Sequence, residues 1–123
     1  MQQINVPSLL PQGAIIKVHL SEKDKADTVG HEQKKDRPCL VLTNQKFNEY
    51  TNGMVKVLAI SSSASDFPLN IDLPEELETE GKVLIAQERS FDLNDRDYEY
   101  IEKVPDEFMD KIKGLILDSL GLL

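Results

Sequence analysis

Three short groups of polar residues carry the chemistry this sequence offers. His31, Glu32, Gln33 and Arg37 sit with Lys34 and Lys35 in "GHEQKKDRP"; Ser61, Ser62 and Ser63 form a serine run; and Gln87, Glu88, Arg89, Ser90 and Asp92 lie in "AQERSFD". An imidazole has an ordinary pKa near ~6.5 and exchanges protons around neutrality. An arginine stays charged, and its planar fork matches a phosphate bidentately. Singly, each residue has a plain structural reading: a loop histidine, a surface ion-pair arginine, a solvated serine turn, a turn-forming aspartate. Their combination at the ends of separate strands, which can converge at one mouth of a small fold, points to a site.

Several familiar sites are excluded. The sequence has no glycine-rich phosphate loop, no G-x-G-x-x-G and no H-E-x-x-H. "DLNDRDYE" puts an arginine where a calcium loop needs an oxygen ligand and lacks its glycine. Two histidines and one cysteine, far apart, do not make a zinc site. No metal and no cofactor are therefore expected. Cys39 excludes an internal disulfide, and its setting in "PCLVL" reads as an inert packed thiol rather than a nucleophile.

The elements that must position these groups are mostly strands. "AIIKVHL" (14–20) alternates with the period of a half-buried strand, whereas 21–36 has no apolar periodicity and reads as a long exposed loop, of the length that is usually functional or disordered. "RPCLVLTN" (37–44) is a second strand, followed by a polar turn-like segment, "QKFNEYTN". "GMVKVLAISSS" (53–63) is a third. "FPLNIDL" (67–73), with Pro68 suggesting an edge or a start, and "KVLIAQE" (82–88), after a turn at Gly81, follow. A weaker sixth strand is expected in 96–104.

The last element is a helix. Pro105 is placed as an early-helix residue, Asp106 and Glu107 suit the positive end of the dipole, and Phe108, Ile112, Leu115, Ile116 and Leu120 form an apolar stripe before Gly121. That stripe serves a core or a dimer surface. Five or six short strands and one closing helix predict a mainly β fold, a small antiparallel barrel. Alternating αβ order is absent.

A chain of 123 residues suits one domain, 1–123, with 1–12 as an extended leader. The composition, 40% hydrophobic and 29% charged, is that of a soluble globular protein. No apolar run approaches a membrane span and the start lacks the features of a signal peptide, so a cytoplasmic location is expected. The net charge of -8 argues at first sight against a nucleic-acid partner. It is uneven: residues 1–63 hold eight Lys/Arg against six Asp/Glu (+2), and residues 64–123 hold six against sixteen (-10). One half could face an anion while the other maintains solubility.

From about Gly13 to Leu122 the chain resembles the MazF/PemK toxins of bacterial toxin–antitoxin modules. "GAIIKVHL" is similar to that family's opening strand, "GHEQKKDRPCLVLTNQKFN" to its Gly-x-Glu-Gln…Arg-Pro…Val-Leu block, and "VLAISSS" to its third-strand end. "LIAQERSFD" is similar to its Gln-x-Arg-Ser/Thr-x-Asp block, and "VPDEFMDKIKGLILDSLGL" to its terminal helix. The spacing of "GHEQ" to "RP" is the most specific of these signals.

The resemblance implies an SH3-like barrel of the MazF/PemK/CcdB type that forms a homodimer and cuts single-stranded RNA at short sequences without metal. It also implies a growth-inhibiting toxin, silenced by a cognate acidic antitoxin lying across the RNA site. Cleaving RNA through its own 2′-hydroxyl needs a base near that hydroxyl, an acid near the departing 5′-oxygen, and cations for the developing charge. On this basis Arg37 and Arg89 are expected at the scissile phosphate, either able to assist proton transfer. His31 is a second proton-transfer or phosphate-stabilising group, Asp92 a base or an orienter of Arg89, and Ser61 a hydrogen-bond donor in the place where relatives often carry threonine. Glu32, Gln33, Lys34, Lys35, Ser62 and Gln87 are expected to contact RNA. Two other readings use the same barrel: a CcdB-like toxin that poisons gyrase by contact, and a catalytically silent antitoxin-binding relative.

Overall fold

In the computed structural model the described residues are 6–19 and 37–121, so the expected loop 21–36, with His31, Glu32, Gln33, Lys34 and Lys35, lies outside them. The strands are β1 (Ala14–Val18), β2 (Arg37–Val41), β3 (Met54–Ser61), β4 (Asn70–Asp72), β5 (Lys82–Asp92) and β6 (Tyr98–Lys103), and the helices α1 (Gln45–Tyr50) and α2 (Asp106–Ser119). They form one six-stranded sheet in the order β4-β5-β3-β2-β1-β6, with antiparallel neighbours throughout. Among the described residues the edge strands β4 and β6 do not pair, so the expected barrel is an open, mainly β sheet with a C-terminal helix.

Period-two alternation gives the sheet two apolar faces. Ile15, Leu40, Leu58, Ile60, Val83 and Ile85 pack against Met109 and Ile112 of α2. The other face gathers Ile16, Val18, Cys39, Val57 and Phe91, with Leu10, Leu93 and the half-buried Tyr98 and Tyr100 against them. Burial of each of these apolar side chains contributes roughly 1.5–3 kcal/mol.

Four expectations need correction. The segment after β2 is helical from Gln45 to Tyr50, because the Asn44 side chain accepts from the Phe47 backbone N–H at 2.8 Å and caps the first turn. Its buried Asn48 donates through Nδ2 to the Leu10 carbonyl and accepts from Thr43 Oγ1, tying α1 to the chain before β1. That earlier segment is not simply extended: Pro7–Leu9 make a 3-10 turn and Leu10 is fully buried. β5 runs on to Asp92, four residues past the expected end, because Lys56, Val57 and Leu58 of β3 continue to pair with Ser90, Arg89 and Glu88. Pro105 stands outside α2 as its N-cap, with extended backbone, and leaves Asp106 and Glu107 in the first turn.

Candidate active site

β2, β3 and β5 are neighbours in the sheet, and alternation aims chosen residues of each at the face away from α2. On β2 these are Arg37, Cys39 and Val41; on β3, Val55, Val57, Ala59 and Ser61; on β5, Arg89 and Phe91. The register pairs Cys39 with Ala59 and Val57 with Arg89, so Arg89 lies diagonally across β3 from Cys39. Carried two residues beyond its last pair, the β2–β3 register would set Arg37 across from Ser61.

Arg37 and Arg89 line one cleft, whose floor and walls are Val18, Pro38, Cys39, Val57, Ala59 and Phe91. Arg37 is half-buried, and its Nε is buried with no hydrogen-bond partner among the described residues. A buried donor left unpaired costs about 1–3 kcal/mol. Arg89 is exposed, with its guanidinium carbon 4.8 Å from the Phe91 ring centroid. Beneath them burial pushes the Cys39 thiol up to about 12, opposed only by the charge of Arg89. Cys39 is therefore a neutral thiol at physiological pH, as its apolar context in the sequence suggests.

Ser61 is nearly buried, and its Oγ accepts from the Ser63 backbone N–H at 3.2 Å and lies 3.3 Å from Ser63 Oγ. Gly81 shapes this corner: with φ +125, a Cβ there would come within 2.6 Å of the Ser61 carbonyl oxygen, so only glycine lets the two backbones meet. Ser62 is exposed and lines a different pocket, with Lys82 and Thr79, while Gln87 is exposed on β5. Asp92 follows Phe91 on β5; its Oδ1 accepts from the Asn94 backbone N–H and Nδ2, and together with Phe91, His19 and Arg96 it lines the pocket next to the cleft. Arg37 and Arg89 thus share one cleft, Ser61 of β3 is not among the residues that line it, and Asp92 lines the pocket next to it.

Sequence reading missed Phe91, whose ring also receives the Arg96 guanidinium carbon at 4.6 Å from its centroid. The signal was present: Arg89 and Phe91 are two apart, hence on one face, once β5 is read through to Asp92. Among the described residues no group of three His, Cys, Asp or Glu side chains could hold a metal ion.

A helix-backed antiparallel sheet with a doubly cationic, apolar-floored cleft defines a class: small β proteins whose open face is built to receive an anion. Comparison with known proteins narrows it. Residues 11–120 match the family described as PemK-like, MazF-like toxin of type II toxin–antitoxin system, and the chain belongs to that family. It is 32% identical over 91 residues to the endoribonuclease PemK of Escherichia coli, covering 71% of this chain and 68% of that protein. Its fold superposes on crystal structures from Deinococcus radiodurans. For MazF the TM-score is 0.75 at 26% identity, covering 92% of this chain and 97% of the other. For MazE–MazF it is 0.76 at 26% identity, covering 94% and 98%.

Proposed function

We propose that this endoribonuclease toxin of the PemK/MazF family holds the scissile phosphate of single-stranded RNA between Arg37 and Arg89, and cuts at short sequences without a metal ion. The observation that carries the reading is that Arg37 and Arg89 line one cleft while the buried Arg37 Nε–H has no partner among the described residues. A non-bridging phosphate oxygen is the acceptor that donor lacks. Two cations beside an apolar floor, one of them half-buried, stabilise the charge that builds on the phosphoryl oxygens.

The reaction follows from the substrate's own nucleophile. The RNA 2′-oxygen gives up its proton to a base and bonds to phosphorus, and the bond from phosphorus to the 5′-oxygen breaks. A proton delivered to that oxygen leaves a 5′-hydroxyl end and a 2′,3′-cyclic phosphate. Ser61, whose Oγ accepts from the Ser63 N–H and shares a hydrogen bond with Ser63 Oγ, offers its O–H to the phosphate when Ser63 Oγ acts as the donor of that pair. The proton transfers fall to His31, which precedes Arg37 by six residues, or to the arginines themselves. Asp92, in the pocket across Phe91 from the cleft, serves in this reading as a base or an orienter of Arg89.

The partner in this reading is a cognate acidic antitoxin, by analogy with the MazE–MazF structure, and the working form is a cytoplasmic homodimer. The acidic residues after position 63 lower RNA affinity by repulsion, and what affinity the Lys/Arg–phosphate contacts supply falls with added salt. Incubating the protein with a defined single-stranded RNA in EDTA tests the proposal. Fragments with new 5′-hydroxyl ends are expected. Intact RNA together with blocked DNA supercoiling would replace this reading by a gyrase poison, and intact RNA with binding of an acidic antitoxin peptide by a silent relative.

A further inference from the structure

Phe91 is only 5% exposed, yet it is more than filler. It lines the cleft that holds Arg37 and Arg89, and it also lines the neighbouring pocket that holds Arg96. One aromatic wall therefore separates two cavities, and each cavity sends it a guanidinium, Arg89 at 4.8 Å and Arg96 at 4.6 Å from the ring centroid. Both distances fall inside the ~6 Å reach within which the negative face of a ring attracts a cation.

The sequence builds the first contact directly. Arg89 and Phe91 are alternate residues of β5, so ring and guanidinium stand on the same face, and pairing of Val57 with Arg89 and Val55 with Phe91 fixes both backbones. The ring itself is held in the core by Val55, Val57 and Leu93. Arg89, by contrast, is exposed and has a long, rotamer-rich side chain whose ordering opposes any task it must perform. A rigid ring under a mobile cation reduces that opposition.

We propose that Phe91 is a positioning residue: its ring holds the Arg89 guanidinium over the cleft, so that the cation is in place before the phosphate arrives. This rests on the reading of the cleft as a phosphate site, but the contact itself exists in the free protein and can be tested there. Phe91→Leu keeps an apolar side chain of similar burial and removes the ring; Phe91→Tyr keeps the ring. In RNA cleavage Phe91→Leu lowers kcat by between about threefold and thirtyfold with little change in KM, and Phe91→Tyr restores it. In an Arg89→Ala background Phe91→Leu has no further effect, since its action runs through that arginine. A role in packing alone would lower the rate equally in both backgrounds and would overturn the proposal.

The companion measurement needs no substrate. In 15N NMR of the free protein the Arg89 Nε–H signal is ring-current shifted and ordered. Phe91→Leu removes the ring-current shift and raises the mobility of the signal, whereas Phe91→Tyr leaves it in place. An Arg89 signal unmoved by Phe91→Leu would overturn the proposal even if the rates changed. Absence of RNA cleavage by the parent protein would sink the functional reading, while these signals still decide whether Phe91 holds Arg89.

Discussion

The two faces of the sheet are made from the same strands and follow opposite rules. Toward α2, Leu40, Leu58, Ile60, Val83 and Ile85 meet Met109 and Ile112, and the buried cluster contains no ionisable side chain. Toward the other side, Cys39, Val57 and Phe91 are as deeply buried, but the same rows end in Arg37 and Arg89. The contrast teaches how a small protein separates its tasks. Stability is concentrated where a helix can exclude water, and charge is set on the face that no helix covers. Because the strand period is two, moving one position along β2 or β5 exchanges one task for the other.

Substitutions on the two faces should therefore fail in different assays. Arg37→Ala is expected to reduce RNA cleavage by about 10²–10³ in single-turnover rate, the scale of losing one preorganised donor. Its melting temperature should hold or rise, since the variant removes a buried donor with no partner among the described residues. Ile112→Ala, on the helix side, should cost about 2–5 kcal/mol in chemical denaturation with the rate per folded molecule unchanged. A large rate loss in Ile112→Ala, or a large stability loss in Arg37→Ala, would erase the distinction.

Two smaller changes sharpen the comparison at its borders. Gly81→Ala combines φ +125 with a Cβ 2.6 Å from the Ser61 carbonyl oxygen. It should cost about 1–3 kcal/mol in denaturation and also slow cleavage, because relief of the clash moves Ser61. At the start of α2, Asp106 accepts from Lys103 Nζ at 2.9 Å, and this hydrogen bond and charge hold its carboxyl below the usual carboxylate range. A lowered folded value means the contribution is present above the ordinary carboxylate pKa and lost as pH falls through the folded one. Thermal melts of Asp106→Asn should accordingly fall slightly below the parent at neutral pH and converge with it in acid, with no effect on cleavage.

What the sequence revealed depended on how local the cause was. Alternation in "AIIKV" and "MVKVLAIS" announces strands, and the stripe through Phe108, Ile112 and Ile116 announces α2, because a single buried face imposes each period. The helix Gln45–Tyr50 was hidden: its apolar content is slight, and it exists through the Asn44 cap and through Asn48, whose partner Leu10 is 38 residues away. The far end of β5 was hidden too, since residues 86–90 are exposed and only pairing with β3 keeps them extended. Arg37 and Arg89 could be singled out by residue type. Their meeting in one cleft is set by strand order, which no local pattern contains.

The thiol beneath the cleft gives the protein a built-in clock. Cys39 carries a proton held up to about 12, is 6% exposed, and is the sole cysteine in the chain. Alkylating reagents attack thiolates, so this sulfur stays silent while the floor beneath Arg89 is closed. Its labelling should therefore be slow in the folded protein and track any loosening of the packing beneath the arginines.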